Sequence, residues 1–197
     1  MEKITENYTC EGQLLNIHTY PDPVLTTVAK DVEAHEFNQE LKELCKNMLY
    51  TMYQAPGIGL AAPQVGIGKR IFVIDVEYDR KETAEDSGEF TLSNFNPMIF
   101  INPVIKNKEG ETTYQEGCLS LPGVYEDVQR FETIMIEYQN TDGEKKEISA
   151  DQLLSICIQH ENDHLDGIVF IDRLSGLKKS FFKKKLIKQK RQKSHNL

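Results

Sequence analysis

The sequence predicts a small single-domain α+β fold, on three observations. Runs rich in branched and aromatic residues cluster at 70–76, 98–105 and 131–138. Asp142-Gly143, a strong hairpin signal, follows the last of them. The strands gather ahead of a late helix instead of alternating with helices, which argues against a doubly wound sheet.

Taken in order, residues 1–12 form a loose leader. Over 37–52 the apolar residues Phe37, Leu41, Leu44, Cys45, Met48, Leu49 and Met52 make the stripe of an amphipathic helix. It stops at Ala55-Pro56-Gly57, where proline and glycine both oppose continuation. Residues 70–76 (RIFVIDV) read as a buried strand. Residues 78–95 are polar and acidic, with little periodicity, and read as a surface loop. In the strand at 131–138, Ile134, Ile136 and Tyr138 alternate with Thr133, Met135 and Glu137. Ser149 and Gln152 have the spacing of a capping box for a helix over 150–164 that ends near Gly167. The expected organisation is leader 1–12, one folded domain 13–173 and a basic C-terminal helix or tail, 174–197.

The 197 residues suit one domain with a real core; 39% are hydrophobic and 27% charged, as in ordinary soluble proteins. No apolar run is long enough to span a bilayer, so no membrane partner is expected. The acidic, polar start lacks a secretion signal, and the expected location is cytoplasmic. The four cysteines are then free thiols, with Cys45 and Cys157 as small core residues. Charge is uneven. All 31 acidic residues lie in the first 172 positions with 13 of the 23 basic ones, and the last 25 positions hold the other 10 basic residues.

The sharpest motif is His160-Glu161-Asn162-Asp163-His164, an HExxH pattern on the late helix. Residues four apart share a helix face, so two imidazoles can grip one metal, with Glu161 offset as general base toward an activated water. The apolar residues Leu153, Leu154, Ile156, Cys157 and Ile158 imply that this helix is buried, where unsatisfied histidines would be costly. A protease would recruit its third ligand downstream. Phe170 stands where a metzincin needs histidine, and Glu161 is the last glutamate, so the third ligand comes from elsewhere.

Upstream lies Gln115-Glu116-Gly117-Cys118-Leu119-Ser120-Leu121-Pro122. Read alone, Cys118 is a metal ligand, an inert core thiol or a nucleophile. Residues 57–64, Gly-Ile-Gly-Leu-Ala-Ala-Pro-Gln, read alone as a tight connecting loop. Together and in this order, GxGxAAxQ, EGCLS and HExxH resemble the three motifs of peptide deformylases, over roughly 14–177 and including His18, Tyr20, Pro21 and Asp22. Tyr125 departs from the arginine several relatives carry there.

The resemblance implies antiparallel or mixed strands around a central HExxH helix. It implies Cys118, His160 and His164 as metal ligands, with one Fe²⁺ per chain that Zn²⁺, Ni²⁺ or Co²⁺ can replace. The expected reaction is hydrolysis of the formyl group from formyl-methionyl nascent peptides. Glu161 then moves the proton, and Gln64 with the Leu119 backbone N–H stabilises the oxyanion. Glu116 is a support for the cysteine segment or a surface carboxylate. Gly59 lets the peptide run past as an added strand, and Ile58, Leu119, Ile156 and Cys157 line the methionine pocket or serve the core.

Two other classes remain open at this level: a zinc endopeptidase with an unusual cysteine ligand, and a nucleic-acid-binding module suggested by the tail. In that tail Leu174, Leu177, Phe181 and Ile187 mark an apolar face, among Lys178, Lys179, Lys183, Lys184, Lys185, Lys188, Lys190, Arg191 and Lys193. Such a face is a solvated helix balancing an acidic body or, as long basic C-terminal helices of related enzymes suggest, a contact with ribosomal RNA near the exit tunnel.

Overall fold

The computed structural model describes residues 10–83 and 89–195. Helix α1 (Gln39–Gln54) starts where the Asn38 side chain accepts a hydrogen bond from the Leu41 N–H at 3.1 Å. Its stripe Leu41, Cys45, Met48, Leu49 and Met52 is buried as the periodicity predicts.

Strands β1 (Gly59–Ala61), β2 (Ile71–Ile74), β5 (Met98–Glu109), β8 (Thr133–Gln139) and β9 (Lys145–Asp151) form one antiparallel sheet in the order β1-β2-β5-β8-β9. Strand β2 shows how the sheet is packed. Its side chains alternate, so Ile71 and Val73 join the α1 cluster on one face, while Phe72 and Ile74 join Cys157, Ile158 and Leu165 on the other. Those last three belong to α2 (Gln152–Leu165), the helix that carries HExxH. Two helices thus cover opposite faces of the β1–β2 end, which is why β2 is apolar at every position.

Two hairpins complete the strands: β3 (Asp79–Glu82) with β4 (Phe90–Ser93), and β6 (Thr112–Gly117) with β7 (Tyr125–Arg130). The first corrects the reading of 78–95 as a surface loop at 79–82 and 90–93, which pair as strands where the base of the hairpin is tied to α1; residues 84–88 of that run lie outside the described residues. The predicted capping box is also absent. Ser149 and Ala150 belong to β9, whose pairing with β8 runs to Asp151, and α2 begins after it with no side-chain cap. Pairing along a whole edge strand outweighs one cap.

A third cluster holds Leu121, Val124, Val128 and Phe170 against Phe182 and Leu186 of the terminal helix α3 (Gly176–His195). The inward face of α3 is therefore Phe182 and Leu186, while Leu177 and Phe181 are 88% and 63% exposed. The expected apolar face is rotated. Nor do the lysines simply repel one another: Lys178 pairs with Glu126, and Lys179 and Lys183 both pair with Asp172. Lys185 donates to the Gly123 carbonyl and Lys190 to that of Thr19. No helix among the described residues is long and apolar enough to cross a membrane.

Candidate metal centre

Three elements meet at one point. α2 presents His160, Glu161 and His164 from its buried C-terminal half; β6 delivers Cys118 just past its end; the turn after β1 delivers Gln64. One ligand atom each from Cys118, His160 and His164 lies within 4.8 Å of the others, and Cys118 Sγ is 3.3 Å from His164 Nε2. The His160 and His164 rings stand edge to face, 5.1 Å between centroids, as an i, i+4 pair on one helix face allows.

His160 is oriented from behind. Its Nδ1 lies 2.8 Å from Glu116 Oε2, which leaves Nε2 for the metal side. Glu116 is buried and also accepts from Arg130 Nε at 2.6 Å and Nη2 at 2.9 Å. It is not a surface carboxylate, and its partner is the histidine, not only the cysteine segment. Burial works against its charge, but hydrogen bonds from Arg130 and His160 prevail and hold its pKa down at about 2. Arg130 Nη1 reaches Asp163 at 2.7 Å, and Asp163 also takes Arg173 at the approach to α3.

The two histidines differ. Burial pushes His164 well below the usual imidazole range, toward the neutral form that ligates. Burial acts the same way on His160, but hydrogen bonds to Cys118 and Glu116 outweigh it and raise that imidazole well above its usual range. A metal there would displace the His160 proton.

Glu161 faces the same space. Its Oε2 is buried with no hydrogen-bond partner, and burial, against the His160 charge, pushes its pKa up to about 7. A Cβ at Gly59 would collide with Glu161 Oε1 and lie 2.9 Å from Cys157 Sγ. Glycine at 59 is therefore what lets the carboxylate sit beside β1, a reason the sequence alone did not show. Gln64 is fixed at its carbonyl end, where Oε1 accepts from the Ala61 N–H at 2.8 Å. Its amide then points at Cys118 Sγ (3.5 Å) and Ser120 Oγ (3.3 Å).

A cavity of 470 Å³ opens on this centre. It is lined by Ile58, Gly59, Gln64, Cys118, Leu119, Ile156, Cys157, His160 and Glu161; His164 lies behind Cys118. All ten residues singled out in the sequence thus gather at one place. Missed were Ser120, Arg130, Asp163 and Arg173. The signal for one of them was present: Asp163 is a charge on a helix expected to be buried, and such a charge needs a cationic partner.

The donor set suits a borderline divalent ion, since two imidazoles and a sulfur converge beside a buried carboxylate oxygen that has no partner. Centre and cavity together define the class, a metal-dependent hydrolase.

Comparison with known proteins narrows the class. The sequence matches the polypeptide deformylase family over residues 14–180. It is 50% identical over 180 residues to a peptide deformylase of Neisseria meningitidis, covering 91% of this chain and 97% of that one. A crystal structure of a peptide deformylase from Legionella pneumophila superposes with a TM-score of 0.76 at 38% identity, covering 92% and 98% of the two chains. Another, from Synechococcus elongatus in complex with actinonin, gives 0.72 at 40% identity, covering 89% and 87%. The chain belongs to the peptide deformylase family, metal-dependent hydrolases that remove the N-formyl group from nascent polypeptides.

Proposed function

We propose that Cys118, His160 and His164 hold one Fe²⁺, replaceable by Zn²⁺, Ni²⁺ or Co²⁺, and that Glu161 is the general base and acid of the hydrolysis. The observation that carries this reading is the convergence of those three ligand atoms beside the unpartnered Glu161 Oε2. A divalent ion bound there supplies Lewis acidity, lowering the pKa of a water and drawing electron density from the formyl carbonyl.

The side chains do the rest. Glu161 accepts the proton as water oxygen bonds to the formyl carbon, and returns it to the amine nitrogen as the C–N bond breaks, giving formate and a free amino terminus. Its raised pKa suits both halves of that task. Gln64 Nε2–H and the Leu119 backbone N–H stabilise charge on the formyl oxygen; the Ala61–Gln64 hydrogen bond means the amide need not reorganise as that charge appears. Ile58, Leu119, Ile156 and Cys157 take the methionine side chain. The peptide adds along Gly59, at the edge of the five-stranded sheet.

We assign 13–173 to catalysis and 174–197 to docking, with 1–12 as a leader and a cytoplasmic location. The outward face of α3, with Leu177, Phe181, Lys184 and Lys188 exposed, suits ribosomal RNA near the exit tunnel. Formate release from formyl-Met-Ala-Ser by anaerobically purified protein, with metal analysis, tests the central reading. Formate without internal peptide cleavage, at one iron per chain, is expected; internal cleavage would indicate an endopeptidase.

A further inference from the structure

Beyond β2 the chain forms the β3–β4 hairpin, and the base of that hairpin is clamped by one buried acid. Asp75 accepts from the Tyr53 hydroxyl at 2.7 Å and from the backbone N–H groups of Asn96, Glu77 and Tyr78 at 2.8, 3.0 and 3.1 Å. The Tyr53 ring meets Tyr78 and Phe95 edge-on, with centroids 4.8 and 5.0 Å apart. Arg80 adds a bond from Nη1 to the Tyr53 carbonyl at 2.9 Å. These contacts fix where the Tyr78 side chain goes.

It goes to the rim of the catalytic cavity. The Tyr78 hydroxyl donates to the Gly57 carbonyl at 3.0 Å, and the Asp75 N–H donates to the Ile58 carbonyl at 3.0 Å. On its other side Gly57 abuts the cysteine segment: a Cβ there would lie 3.0 Å from Leu119 Cδ1. The stretch from Gly57 to Gly59, which lines the cavity and opens the edge strand β1, is thus held between the hairpin and Leu119. Tyr78 itself does not line the cavity.

We propose that Tyr78 is a positioning residue for the peptide substrate: its hydroxyl fixes the Gly57 carbonyl so that Gly57, Ile58 and Gly59 present a rigid edge to the incoming chain. This rests on the reading that the peptide adds along Gly59. A pinned edge costs a binding peptide less ordering than a loose one, and the saving applies only to substrates long enough to lie along it. The groups that break the C–N bond are on α2, after β6 and, for Gln64, in the turn after β1, where the Ala61 N–H holds Gln64 Oε1 at 2.8 Å without help from Tyr78, so the chemical step does not depend on the hydroxyl.

The test compares full-length wild type and Tyr78→Phe, loaded with the same metal, on formyl-methionine amide, formyl-Met-Ala-Ser and a formyl pentapeptide. The variant is expected to raise KM for the two longer peptides about five-fold, the equivalent of one net hydrogen bond, with kcat within about two-fold. Formyl-methionine amide should be handled equally by both proteins. Asp75→Asn, which loosens the clamp while keeping one acceptor oxygen, should move KM in the same direction. A variant that keeps wild-type KM values on the longer peptides overturns the role of Tyr78, as does a uniform loss of kcat on all three, the mark of a merely structural residue. If wild type itself gains nothing from added residues, the edge-strand reading is what fails.

Discussion

Glu116 Oε2 lies 2.8 Å from His160 Nδ1, and the same carboxylate is clamped by Arg130. The residue two positions before the cysteine therefore orients a histidine 44 positions away. It does so from a buried acid that arginine keeps ionised. Cys118 and His160 reach the candidate metal centre from different places, the turn after β6 and α2, and this carboxylate, two residues before Cys118, ties their positions together.

Removing that support should cost metal before it costs chemistry. Glu116→Ala is expected to weaken zinc binding, followed by competition with a chromophoric chelator, by about 10–100-fold. It also leaves Arg130 buried beside one acid instead of two, so denaturant unfolding should show a loss of about 3–5 kcal/mol. Glu116→Gln, which can still accept from His160, should lose less metal affinity. Equal zinc affinity in wild type and Glu116→Ala would show that the carboxylate does not orient the ligand.

The iron form should be fragile in air, because both Fe²⁺ and a thiolate oxidise. Samples loaded with iron, nickel or cobalt and left aerobic should lose formate-releasing activity at different rates, iron fastest. Matching lifetimes across the three would contradict an oxidisable iron–thiolate centre.

The basic helix calls for a different test from the one its sequence suggests. Deletion after Gly176 also removes Phe182 and Leu186 from the core, and buried residues of that size are worth about 2–5 kcal/mol each. Truncated protein should therefore melt lower, whatever it does to docking. Lys184→Glu with Lys188→Glu alters the exposed face and spares the buried one. It should reduce co-sedimentation with ribosomes at low salt and leave hydrolysis of a free formyl tripeptide unchanged. Undiminished co-sedimentation would remove the helix from the docking account.

What was legible in the sequence was whatever follows from spacing along one element. His160 and His164 share a helix face by arithmetic, and the α1 stripe and the alternation at Ile134 and Ile136 have the periods of their elements. What escaped was set by partners far away in sequence. Strands β6 and β7 turn Glu116 and Arg130 inward, so they lack an apolar period, yet the two charges satisfy each other. The 78–95 run looked like a loop because its anchors, Tyr53 and Asp75, lie outside it. Ser149 and Gln152 spelled a cap that strand pairing overrode. In α3 the helix was visible but not which side faces the body, because Phe181 and Phe182 are neighbours and only the packing of Phe182 near Leu121 decides between them.

The central claim is that Cys118 binds metal and does not attack the substrate. Metal content and turnover of Cys118→Ala, purified anaerobically beside Glu161→Gln, test it most directly. The account predicts that Cys118→Ala loses both metal and activity, while Glu161→Gln keeps about one metal per chain and loses turnover by about 10²-fold or more. One metal per chain in Cys118→Ala, with only turnover lost, would contradict it.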